Sequence, residues 1–327
     1  MTTRGLGVLK TLFPAVLCIV ALGGYARPQA SPAIDGEDKE PYRISVDVRL
    51  VLLQAVVHER QGRFVSDLNE SEFEVYEDGA RQSIRFFRHE DVPVTVGLVV
   101  DHSGSMRTKL TEVIAATRSF VKSSNPEDQM FVVNFNEKVS LGLPAAIRYT
   151  GSVVELERAI WRAPAAGMTA LYDAIVAGLQ GMREGKHDRK VLVVISDGGD
   201  NASKASLQQV LKLAEQSSAM IYSIGIFDEE DPDRNTRALT RLARATGGEA
   251  FFPGQLSEVV EICGGIARDI RNQYTIGYVP TNTTQNDSYR AIRVVARAKD
   301  HGKLSVRARA GYIAAGAPKQ DLHDHAK

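Results

Sequence analysis

The feature that most constrains the fold of this chain is a series of short, largely continuous apolar runs within residues 92–271. Such a run is typical of a strand in a parallel sheet, because both faces of that strand are covered by other elements. The runs are Val94–Val100, Met130–Val133, Val191–Ile195 and Met220–Phe227. Segments with helical spacing separate them. This alternation predicts an α/β fold with a doubly wound, mostly parallel sheet.

The segments between the runs predict the helices of this unit. Apolar residues recur there every three or four positions, which is the period of a helix with one buried face. Val139–Leu143 predicts a short antiparallel edge strand and Ala250–Phe252 a further short strand. The predicted helices are Leu110–Val121, Val153–Trp161, Leu171–Met182, Leu207–Ala214, Thr236–Ala245 and Leu256–Ile270.

The segments on either side, residues 42–91 and 272–314, show a different pattern, in which short apolar stretches alternate with turn residues. This spacing is typical of antiparallel strands. In the second segment we expect strands at Tyr274–Val279, Tyr289–Ala296 and Leu304–Ala308, with a hairpin turn at Asp300–Gly302 before the last. Because the ends of a domain usually lie close together, the two segments are predicted to form one small β domain with the α/β unit inserted.

The N-terminal residues 1–30 carry basic residues first, then the apolar run Leu12–Leu22, then small residues. That order is typical of a secretory signal peptide, and the run is shorter than the roughly 20 residues of a spanning helix. An uncleaved membrane anchor is the alternative. A polar linker at 31–41 and a polar tail at 315–327 complete the predicted organisation. The chain is therefore expected to be exported, to the periplasm, the cell surface or the extracellular space.

The overall charge narrows the classes of partner. Lys and Arg total 40 and Asp and Glu total 40, so the formal net charge is zero. Proteins that bind nucleic acid usually present a basic excess, and this balance argues against such a partner. Of the two cysteines, Cys18 lies in the predicted signal peptide. If the signal peptide is cleaved, Cys263 has no second cysteine in the chain with which to form a disulfide.

Oxygen-bearing side chains follow the ends of two predicted strands. Asp101, Ser103 and Ser105 come after the first apolar run, and Asp197 comes after Val191–Ile195. Thr169 precedes the helix at Leu171. In open α/β sheets, ligands bind outside the carboxyl ends of the strands, so these groups are expected to share one face. Carboxylates and hydroxyls are hard ligands that suit Mg²⁺, with Mn²⁺ as the alternative.

The pattern Asp101-x-Ser103-x-Ser105, followed by Thr169 and Asp197, resembles the metal-ion-dependent adhesion site of the von Willebrand factor A domain family. The resemblance covers residues 92–271. It implies that Ser103, Ser105 and Thr169 contact the cation directly, and that Asp101 and Asp197 act mostly through water or through the serines.

The flanking segments are also similar to a known group, the bacterial A-domain-related proteins common in acidobacteria. The motifs that carry this second resemblance are Val46–Val51, Gly62–Val65, Phe73–Gly79, Asp91–Pro93, Gln273–Tyr278, Tyr289–Val294 and Arg307–Tyr312. Together, the resemblances imply a non-enzymatic, cation-dependent protein-binding module whose protein partner donates an Asp or Glu carboxylate to the metal, with no small-molecule substrate.

Other interpretations remain open on the sequence. Asp101, Ser103 and Ser105 also suit a helix N-terminal cap without a metal. The chain could be a structural scaffold in which the two flanking β segments, residues 42–91 and 272–314 (the β flank), make the contacts, or it could be a metal-dependent hydrolase. Against the hydrolase, adjacent Asp101, His102 and Ser103 point in different directions, and the sequence has neither a Gly-x-Ser-x-Gly elbow nor a phosphate loop. His102 is expected to be exposed beside the metal, and the acidic run Asp228–Asp231 to be a solvated loop.

Overall fold

The computed structural model describes residues 50–60, 62–197, 199–227, 235–284 and 287–314. The described residues all belong to one compact unit, which spans Val48–Lys327. The predicted signal peptide, the linker, the first residues of the N-terminal β segment, the acidic run Asp228–Asp231 and the polar tail lie outside the described residues.

The strands and helices follow one another in the predicted order. The N-terminal flank contains β1 (Val51–Glu59), β2 (Phe73–Glu77), β3 (Ala80–Gln82) and β4 (Ile84–His89). The strands of the central unit are β5 (Thr95–Asp101), β6 (Gln129–Phe135), β7 (Val139–Leu141), β8 (Lys190–Ser196), β9 (Met220–Gly225) and β10 (Ala250–Phe251). Its helices are α1 (Leu110–Ser123), α2 (Val153–Trp161), α3 (Leu171–Met182), α4 (Leu207–Gln216), α5 (Thr236–Thr246) and α6 (Glu258–Arg271). The C-terminal flank contains β11 (Tyr274–Tyr278), β12 (Ser288–Ala296), β13 (Leu304–Ala308) and β14 (Gly311–Ala314).

The central unit is a six-stranded sheet in the order β10-β9-β8-β5-β6-β7. All neighbouring strands pair in parallel except β7, which is antiparallel to β6 as predicted. Every residue of β5 and of β9 is buried, because helices flank the sheet. The continuous apolar runs therefore did identify parallel strands covered on both faces, and the predicted α/β fold is confirmed.

The two flanks pair with each other in two four-stranded sheets, ordered β13-β1-β11-β4 and β14-β12-β2-β3. In the first sheet β11 from the C-terminal flank lies between β1 and β4. In the second, β12 lies between β2 and β14. Side chains from both sheets share one apolar core, which includes Leu53, Val75, Tyr274 and Ile292. Neither flank has a complete sheet of its own.

One prediction for the C-terminal flank was wrong. The turn residues Asp300–Gly302 predicted a hairpin, but β12 and β13 belong to different sheets, and β13 pairs with β1. The connection instead crosses from one sheet to the other. His301 in this connection contacts Glu59 and Asp67 at 3.0 and 3.1 Å. The strand β14 was not predicted.

The chain enters and leaves the central unit side by side. Asp91, just before that unit, accepts from Arg271 at its end, with an N–O distance of 2.6 Å. Arg307 of β13 also forms an ion pair with Asp269 of α6. No helix in the described part of the chain is long and apolar enough to span a bilayer.

Candidate functional site

The candidate site lies where β5 and β8 end next to each other. These strands are parallel neighbours, with Val100 opposite Ile195, so the residues that follow emerge at the same edge of the sheet. Asp101 is fully buried there. Its Oδ2 accepts a hydrogen bond of 2.6 Å from the hydroxyl of Ser196, the last residue of β8. The first aspartate of the motif is therefore held by the neighbouring strand.

The same aspartate also shapes the loop that carries the serines. Asp101 Oδ1 accepts from the backbone N–H of Ser103 at 2.7 Å, and a single 3₁₀ turn, Gly104–Met106, follows. This turn brings the Ser103 and Ser105 hydroxyl oxygens to 3.1 Å. The Ser105 hydroxyl donates to Asp197 Oδ2. Four of the five predicted site residues are thus joined to one another by hydrogen bonds.

Thr169, the fifth predicted residue, is joined to the cluster through its backbone. Its N–H donates to Asn201 Oδ1 at 2.9 Å, and its carbonyl accepts from the N–H of Asn201 at 3.0 Å. These bonds fix Thr169 to the segment that follows Asp197. Thr169 is 6% exposed.

The loop before Thr169 is held against the serine loop. Gly104 N–H donates to the carbonyl of Gly167 at 3.2 Å. Gly167 has a φ of +89°, a backbone conformation that favours glycine, and a Cβ at this position would displace the Glu137 carboxylate, whose Oε2 would lie 1.7 Å from it. The same Glu137 oxygen accepts from the N–H of Met168 at 3.2 Å. Three distant segments of the chain are therefore linked around one spot.

The site carries a concentration of negative charge in a buried setting. Burial and, second, the neighbouring charge of Asp197 together raise the pKa of Asp101 to about 6, against the hydrogen bonds that the carboxylate accepts from Ser196 and Ser103. Asp197 is 4% exposed, whereas Ser105 is exposed. Two carboxylates held together, with hydroxyl oxygens between them and solvent, are a suitable environment for a hard divalent cation.

The donor set consists of hydroxyls and carboxylates. Within the described residues there is no group of three or more His, Cys, Asp and Glu side chains that could hold a metal by themselves. A cation at this edge would be held by Ser103, Ser105 and Thr169, with Asp101 and Asp197 behind them. Asp200 lies beside the site and serves another purpose: its Oδ1 accepts from the N–H of Tyr172 at 3.2 Å in the first turn of α3.

The expectation for His102 was wrong. The residue is fully buried rather than exposed, and its Nε2 lies 3.1 Å from Asn134 Oδ1 on β6. Burial also lowers the pKa of this imidazole. The ring is therefore held by Asn134 on β6, whereas Asp101 Oδ1 accepts from the backbone N–H of Ser103, which is not the arrangement of a catalytic triad.

Two residues of the site were missed on the sequence. Ser196 anchors Asp101, and Asn201 anchors Thr169. Ser196 immediately precedes Asp197, so its position at the strand end was a usable signal once β8 is known to neighbour β5. Asn201 gave no such signal, because its contact depends on the path of the loop.

Comparison with known proteins gives a family match that contains the candidate site. The family model of the von Willebrand factor type A domain matches residues 95–262. The inter-alpha-trypsin inhibitor heavy chain H2 of Mesocricetus auratus is 23% identical over 245 residues, which is 68% of this chain and 26% of that protein. An uncharacterized protein of Synechocystis sp. is 25% identical over 173 residues, covering 52% of this chain and 40% of its own length. The chain thus spans well under half of either relative.

Among solved structures, a von Willebrand factor type A protein from Catenulispora acidiphila resembles the chain with a TM-score of 0.49 and 16% identity. The match covers 77% of this chain and 75% of that one.

Proposed function

The chain belongs to the von Willebrand factor type A domain family, and from this membership we propose that it is a non-enzymatic, divalent-cation-dependent protein-binding module of the adhesion type. Domains of this family commonly mediate protein–protein contacts and bind a divalent metal at a metal-ion-dependent adhesion site. The observation that carries the proposal is the hydrogen-bonded chain from Ser196 through Asp101 to Ser103, Ser105 and Asp197.

This arrangement suits Mg²⁺ or Mn²⁺ held mainly by neutral oxygens. Ser103, Ser105 and Thr169 would supply hydroxyl ligands, while Asp101 and Asp197 hold the serines and supply charge behind them. A cation with few anionic ligands keeps most of its attraction for a further carboxylate oxygen. Ser105 is exposed, so a partner can reach this position from solvent.

The proposed partner is a protein that presents an Asp or Glu side chain at its surface. Met168, which precedes Thr169, is 53% exposed, and it provides an apolar contact next to the carboxylate position. We further propose that residues 1–30 direct export and that binding takes place outside the cytoplasm.

Metal binding is the first test. Isothermal titration of the full chain with MgCl₂ and with MnCl₂ is expected to give saturable heat, and Ser103→Ala is expected to weaken the affinity about tenfold or more because it removes a proposed ligand. Ser140→Ala, a serine on the edge strand β7 outside the site, is the matched control and keeps the affinity.

Partner capture is the second test. The full chain, immobilised, is expected to retain a protein in the presence of Mg²⁺ and to release it on chelation, and Ser103→Ala is expected not to retain it. Capture that survives both chelation and Ser103→Ala would show that the β flank makes the contacts instead. Absence of metal heat would reject the proposal as a whole.

A further inference from the structure

A cavity lies at the amino ends of the parallel strands, opposite the candidate metal site, between the central sheet and the β flank. Its volume is about 370 Å³, which falls within the roughly 300–1,000 Å³ of small-molecule sites. Pro93 before β5, Arg189 before β8 and Met220 at the start of β9 line one wall. These are the amino ends of the parallel strands, so the cavity is separate from the metal site.

The wall from the β flank is ordered in two rows by strand register. Leu52 lies opposite Gly277, and Gly277 lies opposite Phe86. Leu52 is 46% exposed, and a Cβ on Gly277 would meet both of these side chains at 2.9–3.1 Å. This first row is an apolar strip across three strands that the glycine leaves without a side chain at its centre.

The second row lies two residues along the same strands and is polar. Gln54 pairs with Thr275, and Thr275 pairs with Arg88. Thr275 Oγ1 donates to Gln54 Oε1 at 3.0 Å and accepts from Arg189 Nη2 at 2.6 Å. The guanidinium from the α/β unit therefore closes the polar end of the cavity.

The charge of that end is positive, although Glu90 pairs with Arg88 at an N–O distance of 3.4 Å. Arg88, Lys186, Arg189 and Arg309 line the cavity, and Asp188 is the acidic residue among the lining side chains. Arg189 is 7% exposed, and its nitrogens contact the Glu90 carbonyl and the Thr275 hydroxyl. In the described part of the chain no carboxylate forms an ion pair with Arg189 or Lys186.

Burial of Arg189 lowers its pKa to about 10, because the charged guanidinium is removed from water and the nearby charges of Asp91 and Glu90 offset only part of that effect. A buried cation that only neutral oxygens contact is stabilised by an anion. Arg309 is less available, since it donates to the Glu215 and Ser217 carbonyls at the end of α4.

We infer that this cavity binds a small anionic amphiphile, with its headgroup at Arg189, Thr275 and Arg88 and its apolar part on Leu52 and Phe86. The inference is independent of the metal-dependent function. A small anion without an apolar part would leave Leu52 and Phe86 exposed to water. An uncharged apolar molecule would leave the Arg189 guanidinium without an ion-pair partner.

The test is isothermal titration of the full chain with sodium octanoate. Saturable binding is expected, with acetate, octanol and octylamine each at least tenfold weaker. Octyl phosphate distinguishes a carboxylate from a phosphate headgroup, and binding of either supports the inference. The inference is overturned if neither octanoate nor octyl phosphate binds saturably, or if octylamine binds as strongly as the better of the two.

Surface variants keep the test free of folding effects. Arg88→Gln is expected to weaken octanoate about tenfold through a lost charge-assisted contact, and Leu52→Gln about threefold through lost apolar contact. The matched controls are Arg85→Gln on the same strand and Leu141→Gln on the exposed edge strand β7, and both keep the affinity. Equal loss in Arg85→Gln or Leu141→Gln would place the binding elsewhere and overturn the inference.

Discussion

The central sheet and the β flank each bury a carboxylate, but the two carboxylates have opposite electrostatic surroundings. In the flank, Glu77 accepts from Arg290 at 3.0 Å, from the Tyr278 hydroxyl at 2.6 Å and from the Tyr312 hydroxyl at 3.0 Å. At the sheet edge, Asp101 accepts from a backbone N–H and a serine hydroxyl and lies near a second carboxylate. A carboxylate with its own cation is part of the core, whereas a pair of carboxylates is suited to a cation from solution.

The largest effect is expected from removing the C-terminal flank. A chain that ends at Arg271 lacks β11, which lies between β1 and β4 in the first sheet, and β12, which pairs with β2 in the second. We expect residues 50–91 to lose their protection against limited proteolysis completely, while residues 92–271 stay resistant because their core is separate. The measurement is mass spectrometry of the fragments.

This experiment also tests the predicted domain boundaries at 92 and 271, with one β domain interrupted by the α/β unit. Continued protection of residues 50–91 in the shortened chain would show that the N-terminal flank folds by itself. If residues 50–91 and residues 92–271 both lose their protection against proteolysis, the α/β unit depends on the flank for its stability.

The next largest effect is expected from Arg290→Met in the flank. Arg290 is 3% exposed and Glu77 is 2% exposed, so the variant leaves a buried carboxylate without its cation. Breaking such a pair costs about 3–5 kcal/mol of unfolding free energy. Urea unfolding measures the loss, and the titration of Mg²⁺ is expected to be unchanged in the folded variant.

Arg293→Met is the matched control, because Arg293 is an exposed residue of the same strand that stacks on Tyr76 at 4.1 Å. Its expected cost is about 1 kcal/mol or less. Adding Glu77→Gln to Arg290→Met is expected to restore part of the stability. If Arg290→Met loses no more unfolding free energy than Arg293→Met, the hydroxyls of Tyr278 and Tyr312 are enough to stabilise the buried Glu77 carboxylate.

The sequence predicted the α/β unit closely, because its signals are local. Helices α2 and α3 begin and end at the predicted residues, since apolar period and boundary residues lie within the segments themselves. The flank was predicted less well. Glu77 and Arg290 are 213 positions apart, and the crossing of residues 297–303 between sheets depends on pairings that no local pattern carries.

The site shows the same division. The five oxygen-bearing residues follow from strand ends and from the family pattern, and four are joined directly in the structure. Their assignment as metal ligands stays a prediction. The contact of Ser196 with Asp101 depends on which strand neighbours β5, and the contact of Asn201 with Thr169 depends on how one loop packs on another. His102 was misjudged because Asn134 on β6 draws its ring inward.

A smaller effect is expected for Asp101→Asn at the site. The folded-state pKa of Asp101 is raised to about 6, above its unfolded value of about 3.9, so the folded state binds the proton more tightly. Without metal, stability is therefore expected to fall by about 2 kcal/mol as pH rises from about 4 through about 6. Asp101→Asn removes this contribution, because the amide mimics the neutral acid, and leaves the part of the fall that Asp128 contributes; it also weakens Mg²⁺ binding more than tenfold.

Urea unfolding in chelator at pH 4.5, 6 and 7.5 measures the effect. Asp128→Asn is the matched control: burial raises the Asp128 pKa to about 6 as well, but Asp128 accepts from Val94 N–H at the opposite end of β5. This variant is expected to keep Mg²⁺ affinity. Parallel pH profiles for wild type and Asp101→Asn would contradict a raised pKa of Asp101 in the folded state.

The smallest effect is expected at His301, between the two sheets of the flank. Hydrogen bonds with Glu59 and then the charge of Asp67 raise the pKa of this imidazole above its ordinary value of about 6.5. A raised histidine pKa contributes stability that is complete below the unfolded value and is lost as pH rises through the folded value. The melting temperature of the wild type is therefore expected to decline slightly above pH 6.5, and His301→Gln to abolish that decline. His187→Gln, whose ring lies 3.0 Å from the Glu127 carbonyl in the central unit, serves as the control and is expected to keep it. A decline that persists in His301→Gln would mean that the contacts of His301 with Glu59 and Asp67 are not its cause.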